Sequence, residues 1–239
     1  MSRNDKNTRR YPRVFLTQGV QDFEKIVGLE VEWPEGFVIG VLDISYLGAA
    51  IIKTSKVTSN YHKGDQVEFK FQFDELGQKV PVSCQVIRSD EKSIAVYFPE
   101  LTITARQALE KFLKQKLIGL NMHLVDPKFY IKEQGFDYWF HGPNQTNIFI
   151  WGNSKEIQKA NFEINYEVIS FEGDRFFSSE SKTFLDLPTE DYAYRVNNPD
   201  SKTAVTKKDK VVNDILSLLS QIQDKTGVIQ KLAQEIKKS

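Results

Sequence analysis

Cysteine is all but absent from this chain. Cys84 stands alone among 239 residues, so no internal disulfide holds the fold and a packed core has to do so. It lies in Val82-Ser83-Cys84-Gln85-Val86, an alternating pattern that puts it on the apolar face of a strand, with no neighbour to support a catalytic thiolate. Long apolar runs are missing as well. Nothing approaches the ~20 apolar residues of a membrane helix, and no apolar stretch follows the charged N-terminus as in a secretory leader. A cytoplasmic protein without a membrane span is the expectation. Net charge is zero, with 32 Lys and Arg against 32 Asp and Glu, so no overall field draws in nucleic acid or an acidic membrane. The three histidines, His62, His123 and His141, are scattered, and no zinc motif, nucleophile elbow, phosphate loop or dinucleotide fingerprint is present. Neither catalysis, a metal nor a cofactor is expected.

What is present is unevenly arranged. Residues 1–116 carry 17 basic against 15 acidic side chains, residues 117–200 carry 7 against 13, and residues 201–239 carry 8 against 4. The first half alternates in short runs at 14–16, 26–31, 37–42, 47–54, 66–73, 79–89 and 93–98, separated by turn chemistry such as Trp33-Pro34-Glu35-Gly36. About six antiparallel strands at this spacing predict a small closed barrel. A helix follows from Thr102 to near Lys116, its apolar side formed by Ile103, Leu109, Phe112 and Leu113.

Two segments of this half suggest chemistry. Arg9-Arg10-Tyr11-Pro12-Arg13 places three guanidinium groups in five residues, with Pro12 keeping the chain extended. Residues 41–52 read as strand, polar corner and returning strand. Asp43 and Ser45 alternate with apolar neighbours, and Gly48 stands where the chain needs positive φ or close backbone approach. Planar forks of donors with a carboxylate and a hydroxyl suit a ligand carrying phosphates and a purine edge.

These residues resemble the PilZ domain, the family of bacterial receptors for cyclic di-GMP. The family pattern is Arg-x-x-x-Arg, then, after a strand, Asp/Asn-x-Ser-x-x-Gly. Arg9 and Arg13 meet the first part, and Asp43, Ser45 and Gly48 the second. The resemblance covers residues 1–116. It implies a six-stranded antiparallel barrel with a following helix, and a cyclic di-GMP site formed by Arg9, Arg10, Arg13, Asp43, Ser45 and Gly48. It also implies an arginine arm that folds over the ligand, so that ordering of residues 1–13 signals to a protein partner in motility, attachment or secretion.

Beyond residue 116 the character changes. Sixteen of 29 aromatic residues fall between Phe129 and Tyr194, in strand-like runs at 128–132, 136–140, 147–151, 161–170 and 183–187, with a helical turn or two at 154–160. A second β-rich (α+β) domain of unknown type over 117–201 is the reading. From 207 to 239 a single long helix is expected, with Val211, Ile215, Leu218, Ile222, Ile229, Leu232 and Ile236 forming a heptad seam interrupted at Lys225. That seam serves either a homo-oligomer or docking on the protein's own domains. The whole is mainly β, and a non-enzymatic cyclic di-GMP receptor is the functional expectation. A PilZ-fold adaptor that binds no nucleotide, and a single-strand nucleic-acid-binding barrel, are the alternatives.

Overall fold

Alternating apolar residues bury one face of each strand, and in the first half that pattern closes on itself. The computed structural model describes residues 11–16, 29–54, 60–73, 78–130, 135–164, 167–180, 203–204 and 208–239. Arg9, Arg10, the expected strand residues 26–28 and the run 183–187 lie outside them. The chain divides into two compact units, residues 1–114 and 115–239.

In the first unit the strands are β1 (Val14–Phe15), β2 (Leu29–Glu32), β3 (Val38–Ser45), β4 (Gly48–Ile52), β5 (Gln66–Phe73), β6 (Gln78–Ser89) and β7 (Ser93–Tyr97). Strands β2 to β7 form a closed six-stranded antiparallel ring in the order β3, β2, β5, β6, β7, β4 and back to β3. The two-residue β1 adds to β3 from outside that ring. Closure leaves the ring no free sheet edge. The interior is filled by Leu29, Val31, Trp33, Val41, Ile44, Ile51, Phe69, Phe71, Ile94 and Val96, all essentially inaccessible. Cys84 belongs to this core, as its alternating setting predicts.

Helix α1 (Ile103–Leu120) begins at Thr102, whose hydroxyl accepts from the Ala105 N–H at 3.2 Å. It runs four residues beyond the predicted end. Ala105, Ala108, Leu109, Phe112 and Leu113 are buried, and Phe112 meets Phe73 with ring centroids 5.4 Å apart. Ile103, expected on that face, is 78% exposed. Two residues before Ala105 means roughly 200° around the helix, which turns it away.

The second unit is an antiparallel sheet of β8 (His123–Leu124), β9 (Tyr138–His141), β10 (Asn147–Gly152), β11 (Ile157–Ile164), β12 (Glu167–Glu172), β13 (Arg175–Glu180) and β14 (Thr203–Ala204), in sequential order. Of the helical turn expected at 154–160, residues 157–160 are instead the start of β11. The single run expected at 161–170 is two strands, paired from Ile164↔Glu167 to Lys159↔Glu172. Residues 160–164 are buried on both faces, so the period-2 signal is lost there. The strand expected from 128 begins as a single 3₁₀ turn, Pro127–Phe129, capped by the Asp126 carboxylate accepting from the Lys128 N–H.

The long C-terminal helix is also corrected. There are two helices, α2 (Lys208–Leu219) and α3 (Val228–Lys238). Gly227 precedes α3 at φ 78°, a left-handed value that favours glycine. The Asp224 carboxylate accepts from the N–H groups of Thr226 at 2.8 Å and Ile229 at 3.0 Å, capping the new start. Ile215, Leu218, Ile222, Ile229, Leu232 and Ile236 are buried in one cluster with Phe140, Ile148, Ile150 and Phe162 of the sheet, and Val211 packs on its margin. The seam is therefore used within its own unit, and residues 207–239 are part of the second unit rather than a separate tail.

Two predictions follow from this packing. Leu232, fully buried, should cost about 2–5 kcal/mol when changed to Ala, read as a fall in the urea midpoint of the second unit. Burial pushes the Cys84 thiol up from 9.0 to about 12, with the Phe69 backbone contact opposing it. Native protein should therefore leave Ellman's reagent unreacted at pH 8 and release one thiol equivalent once denatured. This group's contribution is intact below pH 9 and declines between pH 9 and about 12, where the unfolded chain gives up a proton that the folded chain keeps.

Candidate functional site

The second half of β3 has two neighbours. On one edge it pairs with β4, Asp43↔Ala50, Ile44↔Ala49 and Ser45↔Gly48. On the other, β2 pairs only as far as Gly40, and β1 takes over with Val14↔Ile44 and Phe15↔Asp43. The Leu16 N–H donates to the Leu42 carbonyl at 2.9 Å, continuing the ladder. Val14 is fully buried and anchors the segment, because its side chain enters the same core as Ile44.

This register sets Arg13 diagonally across from Asp43. Its Nη1 donates to Asp43 Oδ1 at 2.6 Å, with side chains 25% and 14% exposed. Such a charge-assisted bond is short and directional, and partial burial shelters it from screening. Residues 11–16 thus lie against the barrel. Arg13 is seated by its pair with Asp43 next to the buried Val14.

Asp43 and Ser45 are not the corner itself but the last residues of β3; the corner is Tyr46-Leu47. Ser45 is buried, and its hydroxyl closes that turn, donating to the Gly48 carbonyl and accepting from the Leu47 N–H, both at 3.3 Å. Gly48 is required by close approach rather than positive φ. A Cβ there would stand 2.2 Å from the Val96 carbonyl oxygen. Asp43 is therefore the group of the second motif half placed to offer its charge outward, while Ser45 and Gly48 shape the turn behind it.

Two residues that motif reasoning passed over are also here. Tyr11 and Tyr46 meet edge to face, centroids 6.0 Å apart at 69°. The Tyr46 phenol is held above its usual value by burial first, then by the negative charge of Glu110 on α1. The signal for this contact was one aromatic residue inside each half of the motif. Phe15 and Leu47, 41% and 40% exposed, add an apolar rim.

Two grooves are lined by other residues. One of about 490 Å³ is lined by Trp33, Pro34, Tyr61, Glu68 and Lys70. Another, of about 580 Å³ in the second unit, is lined by Pro127, Tyr130, Phe136, Tyr138 and Asn153. Neither includes a motif residue. Pairing of β8 with β9 brings His123 and His141 together, ring centroids 6.1 Å apart. Among the described residues no group of three or more His, Cys, Asp or Glu is placed to hold a metal, and no helix is long and apolar enough to cross a membrane.

Gly48→Ala should lower stability by about 1–3 kcal/mol, because the new methyl forces the β4–β7 pair apart; a reduced denaturant midpoint with an unchanged slope is the expected reading.

Comparison with known proteins gives a match to the family model described as PilZ domain over residues 7–115. No curated protein matches. Among solved structures, an uncharacterized protein of Legionella is similar at 19% identity, covering 44% of this chain and 92% of its own, with a TM-score of 0.31.

Proposed function

We propose, from the match of residues 7–115 to the family model described as PilZ domain, that this chain is a receptor for cyclic di-GMP that passes the level of this messenger to a protein partner. The family is one of binding domains rather than enzymes. One observation carries the reading: Arg13 and Asp43, from the two halves of the motif and separated by a strand and loop, meet at 2.6 Å on the same stretch of barrel wall.

The chemistry matches the ligand's two phosphates and two guanines. A guanidinium has five N–H donors in a fixed fork, so Arg13 can keep one on Asp43 and turn others to a phosphate or to guanine O6 and N7. Arg9 and Arg10, which precede it in sequence, supply further cationic forks. The Asp43 carboxylate accepts from guanine N1–H and N2–H₂, the edge adenine lacks. Ser45 and Gly48 contribute by holding the turn that fixes Asp43. At about 1.5–3 kcal/mol for each charge-assisted bond, four or five such bonds reach the roughly 8 kcal/mol of micromolar affinity after the ordering cost.

Isothermal calorimetry with cyclic di-GMP on the full chain tests this. Saturable heat is expected, with cyclic di-AMP giving none. Arg13→Ala should weaken binding at least about tenfold, while lowering stability by only about 1 kcal/mol, the usual worth of a half-exposed ion pair. Absence of heat with the wild-type protein would leave the domain as a protein-interaction module without a nucleotide.

A further inference from the structure

We propose that Tyr11 and Tyr46 form an aromatic latch that seats the arginine arm on the barrel, which makes Tyr46 a positioning residue for the nucleotide site. The proposal rests on the receptor reading above for its ligand, but its geometry stands independently. Tyr11 is the middle residue of Arg9-Arg10-Tyr11-Pro12-Arg13, and Tyr46 lies between Ser45 and Gly48 of the second motif half. The two halves of the motif are thus joined twice, by Arg13 on Asp43 and by Tyr11 on Tyr46.

The two joints differ in kind. The ion pair is electrostatic and only partly sheltered from water, so salt weakens it in part. The aromatic contact is largely apolar and does not. One contact alone leaves a chain free to swivel about it. Two contacts on either side of Pro12, whose φ is locked, set the direction in which the chain passes from Arg13 to Tyr11.

Tyr46 is suited to be the fixed member. Its turn is closed by the Ser45 hydroxyl. The Phe98 N–H donates to the Leu47 carbonyl at 2.9 Å, and Gly48 lies hard against the β7 backbone. The ring itself is half-buried, with Glu110 of α1 beside it. An edge-to-face pair needs the ring and not the hydroxyl, so Phe should replace Tyr46.

Tyr46→Ala, Tyr11→Ala and Tyr46→Phe, made in the full chain, test the latch by two readouts. The first needs no ligand: limited trypsin, following the fragment that begins at Val14 by mass spectrometry. Cleavage after Arg13 requires the arm to lift, so both alanine variants should release that fragment about tenfold faster and Tyr46→Phe at the wild-type rate. The second is cyclic di-GMP affinity by calorimetry, expected to fall about five- to tenfold in the alanine variants and to be kept by Tyr46→Phe. Tyr11→Ala alters only the arm side of the contact, so it remains informative if Tyr46→Ala disturbs the turn. Unchanged cleavage in both alanine variants overturns the latch even where wild-type binding is intact. Faster cleavage with unchanged affinity overturns the positioning role. No heat with the wild-type protein overturns the receptor reading and with it the nucleotide half of this proposal, while the trypsin rates still decide whether the arm is latched.

Discussion

Backbone groups along the far half of β3 need partners that β2 does not supply. Buried amides and carbonyls without partners are costly, and β1 meets that need by pairing at Ile44 and Asp43. This short ladder, held by Val14 in the core, places Arg13 against the barrel wall. Arg13 reaches Asp43 because of that pairing, and Tyr11 reaches Tyr46 because the chain continues along the same line. The motif halves are joined by strand register, not by nearness in sequence.

Behind this wall, the turn at Tyr46-Leu47 trades chemical freedom for rigidity. Ser45 would be free to meet a ligand if its hydroxyl were not already closing the turn, and Gly48 is held by a neighbouring carbonyl that tolerates no side chain. What remains for recognition is the Asp43 carboxylate and whatever the arm brings to it. Under the proposed receptor reading, selection would rest on few groups, each placed by main-chain geometry.

The second unit solves a different problem. Its sheet has one face covered by α2, α3 and Ile118, and a smaller aromatic cluster of Phe136 and Phe149 with Tyr130, Trp139 and Trp151. Among the described aromatic residues from Phe129 onward, Phe136, Phe140, Phe149, Phe162, Phe171 and Phe176 are core, while Phe129 is exposed. The break between α2 and α3 lets a seven-residue repeat return across the sheet rather than project from it. Lys225 and Gly227 marked that break in the sequence, where an apolar residue was due and where helix propensity is poor.

Strand periods, turn residues and the start of α1 were legible along the chain because they express local stereochemistry: alternation in β5, β6 and β7, a threonine cap, a proline-glycine turn. The chemistry that Arg13, Asp43, Ser45 and Gly48 carry was also readable, since donors and acceptors are named by their side chains. Division of labour among them was not legible. Whether Ser45 faces a ligand or a turn, whether Gly48 serves φ or close approach, and which surface the C-terminal heptads cover all depend on atoms brought near by other strands. Amino-acid order dictates which conformations each stretch prefers and which chemistry it carries. Contact across the barrel and across the second sheet settles which groups are consumed by the fold and which are left to act, because those contacts join residues with no local relation to one another.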